Sequence, residues 1–308
     1  MEERLKMYAS NSESGRAIAD AIGVNTTDFA STPYRCVNWG CGTDKKVRRL
    51  PVEWLNTREA VDIASDKVKA IVALHNADIN VPDYTFTKED AVDMFGFTTD
   101  KVYCRTLTKA NQGRGIIICG AYDELPTAKL YTKAVDYDRE YRVHVFKGEV
   151  IGVQRKVPHP EWDEEDINYE IRNHANGWFF SKRDIARVHK NIKAIGVMAV
   201  NALGLDFGAV DIAWNTRTQV ATVFEVNTAP SLDVNGSLFD EYVNRMANWL
   251  DGIPAKRDLD EILADIRELQ SIAARTFEVE TDHDGIKEWL SESDVARYDA
   301  LLEEWNNA

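Results

Sequence analysis

Asp211-Ile-Ala-Trp-Asn215, followed by Val223-Phe-Glu-Val-Asn-Thr-Ala-Pro-Ser-Leu232, says more about this chain than any other segment. Both parts sit in apolar, β-branched runs, 208–213 and 220–226, joined by Asn215-Thr-Arg-Thr-Gln219. Two such runs with a short polar connection read as a β-hairpin. Side chains alternate faces along a strand, so Glu225 and Asn227 project together, and the hairpin can bring Asp211 beside them. Three hard oxygen donors on one face suit Mg²⁺, which takes few protein ligands and completes its octahedron with water and phosphate oxygens. The pattern therefore points to nucleotide chemistry.

An Asp, then Glu-x-Asn and a nearby Pro, resembles the metal-binding end of the ATP-grasp superfamily; here these are Asp211, Glu225, Asn227 and Pro230. The preceding segment 202–211 is similar to that family's helix-to-strand approach. The resemblance covers most of residues 1–250 and implies an α/β chain with α+β subdomains in the ATP-grasp fold. It implies a preATP-grasp-like α/β domain at 1–72, a small subdomain with the phosphate loop at 73–135, and a large subdomain with the metal site at 136–254. Residues 255–308, beyond the part that the resemblance covers, are expected to form a C-terminal helical extension. ATP and Mg²⁺, with Mn²⁺ as an alternative ion, are the implied cofactors.

Composition agrees with this class. Of 308 residues, 44% are hydrophobic and 29% charged, as in an ordinary globular protein. A net charge of -14 argues against binding nucleic-acid backbones, which favour basic surfaces. No apolar run approaches the ~20 residues that span a bilayer, and the charged start Met1-Glu-Glu-Arg-Leu-Lys6 lacks an apolar signal core. The expected location is cytoplasmic, without a membrane partner. Cys36, Cys41, Cys104 and Cys119 form no Cys-x-x-Cys pair and read as buried, unreactive thiols.

Along the chain, 5–9 and 35–39 read as strands, and 10–23 as a capped helix ending at Gly23. Segments 56–65 and 66–75 read as helices, and alternation of this kind argues for a parallel sheet. Further strands are expected at 102–105, 115–119, 130–135, 140–146 and 150–156. A long helix is expected over 181–203, from Ile185, Val188, Ile192, Ile195, Met198, Ala199 and Ala202 at helical spacing. The tail carries two amphipathic stripes, Leu259 to Leu269 and Val295 to Trp305, which either pack back on the body or form a homodimer or partner contact.

Cys104-Arg-Thr-Leu-Thr-Lys-Ala-Asn-Gln-Gly-Arg-Gly115 resembles the family's phosphate-covering loop. Gly113 and Gly115, flanking Arg114, let the backbone approach an anion. Arg105 stands where the family usually has Lys and can contact phosphates in a fork. Leu130-Tyr-Thr-Lys-Ala-Val135 resembles the hinge strand that meets the adenine edge, which brings in Tyr131 and Lys133; Glu140 stands near the family's ribose position. Glu140, Arg142 and His144 share one face of their strand, and Gln154 and Lys156 share a face of the next. Arg142 and Lys156, with Arg155 behind them, are the expected phosphate and carboxylate contacts, while His144 reads as a packed residue. Tyr169-Glu-Ile-Arg-Asn173 resembles the loop that meets the γ-phosphate in glutamate-adding and peptide ligases, placing Arg172 and Asn173 there. The acidic stretch 159–166 reads as a solvated insertion.

The resemblance implies an ATP-dependent carboxylate–amine ligase of the glutamate-ligase and glutathione-synthetase-like branch, working through an acyl phosphate. Its acceptor would be a small molecule, amino acid or peptide. The competing readings are an ATP-grasp kinase and a nucleotide-binding interaction protein whose catalysis has decayed.

Overall fold

The computed structural model describes residues 5–9, 12–26, 35–43, 53–95, 101–110, 113–120, 123–182, 185 and 188–252. It also describes 266, 267, 295, 298, 299 and 302, all of them helical. The two tail helices expected from the sequence otherwise lie outside the described residues. Contacts divide the chain into two units, 1–250 and 251–308.

The first unit opens with a parallel sheet of β1 (Leu5–Tyr8), β2 (Asn25–Thr26), β3 (Arg35–Asn38) and β4 (Glu53–Leu55), in the order β2-β1-β3-β4. Helix α1 (Glu13–Ile22) starts where Ser12 accepts from the Gly15 amide at 3.1 Å. It stops at Gly23, whose φ of 78° is the left-handed conformation that suits glycine. Two further helices, α2 (Arg58–Ser65) and α3 (Lys67–Asn76), follow. Asp66 ends the first and caps the second, its carboxylate accepting from the Val68 and Lys69 amides.

A second, antiparallel sheet runs β5-β8-β6-β7, from β5 (Tyr84–Thr85), β6 (Val102–Arg105), β7 (Ile116–Cys119) and β8 (Leu130–Lys133), with α4 (Lys88–Phe95) beside it. Its small core joins Ala91, Val102, Cys104, Cys119, Leu125 and Tyr131. The third sheet carries the site. It comprises β9 (Arg139–Phe146), β10 (Glu149–Pro158), β11 (Trp178–Ser181), β12 (Phe207–Asn215) and β13 (Val220–Asn227), in the order β11-β10-β9-β12-β13.

Strand alternation divides the two faces of this sheet. Tyr141, Val143, Val145, Val210, Ile212 and Val226 enter the main apolar core, against α5 (Lys190–Ala202) and the α2–α3 pair. Gly196 makes the close approach possible, because a Cβ there would lie 2.8 Å from Val143 Cγ1. The other face carries Glu140, Arg142, Asp211, Glu225 and Asn227 (odd or even numbers by strand). At its far end Phe146 and Phe207 pack with Trp39, Leu238 and Tyr242, the last two from α6 (Ser237–Asp251).

Two expectations need correction. The helix expected from residue 181 starts later: Ser181 ends β11, and α5 begins at Lys190, capped by His189. β8 ends at Lys133 rather than Val135. All four cysteines are buried, as expected. Among the described residues, no helix is long and apolar enough to cross a membrane.

Candidate functional site

Pairing register assembles the site. Asp211 on β12 lies opposite Arg142 on β9 and Glu225 on β13, while Arg142 lies opposite Gln154 on β10. Directly opposite residues have Cβ atoms about 5 Å apart, so a row of polar side chains crosses the sheet. Just beyond Glu225 the register skips Phe224, since Ile212 pairs with Val223. This bulge keeps Glu225 and Asn227 on the face of Asp211 while Val223 stays in the core.

Each carboxylate in the row has a cation. Arg142 donates Nε to Asp211 Oδ1 at 2.6 Å and its terminal nitrogen to Oδ2 at 2.8 Å. Lys67 Nζ lies 2.7 Å from Glu225 Oε2. Lys156 pairs with Glu140. Asn227 Nδ2 donates to Asp211 Oδ2 at 3.3 Å. The Phe180 ring lies 3.9 Å from the Arg142 guanidinium carbon and 5.1 Å from Lys156 Nζ. These ring contacts hold both cations while excluding water from one side.

Electrostatics follow from the pairing. The charge of Lys67 holds the Glu225 carboxyl well below the usual carboxylate range, with Arg142 and Arg105 assisting against burial. Burial works against the charge on Arg142, but Asp211 overcomes it and raises its pKa. Burial raises the Glu140 pKa, opposed by Lys156. Burial lowers that of Arg105, which gains support from Glu225.

The two loop glycines lie between β6 and β7 of the second sheet. Gly113 and Gly115 have φ of 77° and 75°. The Thr106 amide donates to the Gly115 carbonyl at 2.8 Å, and Ile116 to that of Gly113 at 3.2 Å. A Cβ on Gly113 would lie 2.8 Å from Ile171 Cγ2 and 3.8 Å from Asn173 Nδ2, so the loop abuts the 171–173 segment. Arg172 is held between Tyr137 at 4.6 Å and Trp178 at 4.7 Å. Lys101 and Glu170 form an ion pair beside it. Arg114 itself is exposed, and so are residues 161–166.

Several expected residues are placed differently from expectation. Tyr131 is a core residue: its ring is 1% exposed, its hydroxyl donates to the Pro126 carbonyl, and its strand is paired on both sides, with Thr85 and Cys104. It has no free edge for a base, whereas Lys133 stands at the strand end. Glu140 is 4% exposed and closed off by Lys156, so neither is open to a ligand until they part. His144 is buried and bonded at both ring nitrogens, to Tyr242 and Gln154, in keeping with a packed role.

Lys67 was not singled out from the sequence as a site residue. Its only sequence signal is its place at the first position of α3, behind the Asp66 cap, and nothing local points that position at Glu225, 158 residues on. Phe180 and Tyr137 were missed as well, being ordinary apolar residues until the fold sets them against cations.

The donor chemistry fits a hard cation: two carboxylates, Asp211 and Glu225, and one amide, Asn227. Among the described residues there is no group of three His, Cys, Asp or Glu side chains able to hold a metal, and the hard oxygen beside the two carboxylates is that of the Asn227 amide. In this structure Asn227 turns its nitrogen toward Asp211, and it must rotate to present its oxygen.

No protein-family model matches the chain. A probable alpha-L-glutamate ligase of Shewanella pealeana is 21% identical over 212 residues, covering 63% of this chain and 43% of that protein. One of Klebsiella pneumoniae is 23% identical over 212 residues, covering 64% of this chain and 67% of that protein. The chain thus spans under half the length of the first relative. Among solved structures, D-alanyl-alanine synthetase A from Vibrio cholerae superposes with a TM-score of 0.59 at 13% identity, over 81% of this chain and 97% of that one. The ATP-grasp ligase PsnB, solved with a minimal precursor, Mg and ADP, gives 0.53 at 14% identity, over 80% and 99%. A RimK domain ATP-grasp protein from Sphaerobacter thermophilus gives 0.52 at 14% identity, over 81% and 98%. In its fold, the chain is similar to these ATP-grasp ligases over about 80% of its length.

Proposed function

We propose that the chain is an ATP-dependent carboxylate–amine ligase that forms an amide bond through an acyl phosphate and releases ADP and phosphate. The observation that carries this reading is the row of Asp211, Glu225 and Asn227 on one sheet face, with Arg142 beside Asp211 in the row and Lys67 reaching Glu225 from the start of α3. Two relatives named as probable glutamate ligases, and structural neighbours named as ligases, support it. On this reading residues 73–135 and 136–254 are the subdomains that close on the nucleotide, after a 1–72 domain and before the 255–308 tail.

A carboxylate and a triphosphate repel one another, so the site must supply positive charge and fixed geometry. Magnesium, held by Asp211, Glu225 and Asn227, would screen the phosphates and fix their orientation. Arg105 and the amides of the Gly113–Gly115 loop lie over the phosphates, and Lys133 lies at the hinge end of the nucleotide. Arg142 and Lys156 meet the nucleotide phosphates and the acceptor carboxylate, and Arg172 meets the γ-phosphate, so that the reacting groups are held in line. The attacking group is the substrate's own carboxylate, so no covalent protein nucleophile takes part.

Calorimetric titration with Mg-ATP tests this reading, on wild type and on the Glu225→Gln, Asn227→Ala double variant. Binding that the folded variant loses supports the site; equal binding by both removes it. Oxygen labelled in the acceptor carboxylate should then appear in released phosphate. A kinase would transfer the phosphoryl group without that exchange, and an interaction protein would form no ADP.

A further inference from the structure

Asp211 already has a counter-ion, and that bears on how a metal reaches it. Both its oxygens accept from the Arg142 fork at 2.6 and 2.8 Å, and Asn227 adds a third donor. The two side chains are 14% and 6% exposed. Phe180 covers one face of the guanidinium. A forked, buried pair of this kind is the strongest ion-pair geometry that side chains offer.

A divalent cation arriving alone must take at least one Asp211 oxygen from the fork. It would leave a poorly hydrated guanidinium beside a new positive charge, and breaking one side of a buried pair is strongly unfavourable. A nucleotide arriving with the cation changes the balance, because its phosphates replace the anion that Arg142 gives up. Lys67 on Glu225 repeats the arrangement one strand further along. Both carboxylates proposed as metal ligands are therefore occupied by cations that a phosphate can accept.

We propose that Arg142 is the resident counter-ion of Asp211, and that it passes to a nucleotide phosphate when nucleotide and metal bind. The inference rests on the metal site proposed above. It makes the site bind a divalent cation weakly alone and tightly with nucleotide, an affinity coupling carried by one guanidinium.

Mn²⁺ binding, followed by electron paramagnetic resonance of the free ion with and without ADP, tests this. Arg142→Gln should bind Mn²⁺ alone more tightly than wild type, and the tightening caused by ADP should shrink by about tenfold. Chelation of Mn²⁺ by free ADP is common to both proteins and cancels in the comparison. Arg142→Lys keeps the charge but not the fork, and should move both quantities the same way by less, so it carries the test if the Gln variant does not fold. Unchanged or weaker Mn²⁺ binding in the folded variants, with the ADP effect intact, overturns the proposal. Glu225→Gln separates the two levels. If it leaves Mn²⁺–ADP binding intact, the metal site itself is wrong; if it abolishes binding while the Arg142 variants match wild type, only the counter-ion role fails.

Discussion

Lowering the pH from 7 to 5 should cost this protein about 2 kcal/mol of stability through His144 alone. Its Nδ1 lies 3.1 Å from the Tyr242 hydroxyl and its Nε2 3.0 Å from Gln154 Oε1. The amide oxygen can only accept, so Nε2 carries the proton and Nδ1 accepts from Tyr242. The ring is fully buried. Burial, and then the charge of Arg142, push its pKa down to about 3. An unfolded histidine titrates near 6.5. Between those values the unfolded chain binds a proton that the folded chain refuses. The stabilisation is therefore complete above about pH 6.5 and is lost progressively as the pH falls toward about 3. At ~1.4 kcal/mol per pH unit, the roughly 1.5 units between 6.5 and 5 give about 2 kcal/mol. Urea unfolding at pH 7, 6 and 5, for wild type and His144→Gln, isolates the effect, because the carboxylates are common to both. The variant should start less stable and lose about 2 kcal/mol less over that range. Parallel losses in the two proteins, or an imidazole signal from His144 that titrates near 6.5, would refute the reasoning.

Asn56, with φ of 63°, accepts from the Asp206 and Phe207 amides at 2.7 and 3.0 Å and donates to the Phe207 carbonyl at 3.0 Å. Asn56→Ala should cost about 3 kcal/mol by urea unfolding, and Asn56→Gly roughly 1 less, since glycine accepts that φ freely. Gly196→Ala should cost about 1–3 kcal/mol, because the new methyl meets Val143 at 2.8 Å; an unchanged midpoint would mean that α5 can shift. Arg105→Ala should weaken ATP much more than AMP in calorimetry, and equal losses would remove Arg105 from the phosphates.

How much of this was legible beforehand depends on the range of the interaction concerned. The Asp211–Glu225 hairpin, the shared face of Glu225 and Asn227, the Ser12 and Gly23 caps and the two loop glycines are matters of strand alternation, turn chemistry and backbone φ, which neighbouring residues settle. The start of α5 is not legible in the same way, because Ile185, Val188 and Ile192 keep helical spacing across it, whereas the helix begins only at Lys190.

Which face of each strand a side chain occupies follows from the order of residues, because the backbone alternates with period two whatever its neighbours. Which strands stand side by side is set by the packing of the whole molecule. That order sets Arg142 opposite Asp211, brings Lys67 to Glu225, closes Glu140 with Lys156 and seals Tyr131 inside the second sheet. Ion pairs of a few ångströms between distant segments depend on register and on the packing that fixes it. A charge pattern read along one chain carries no record of either.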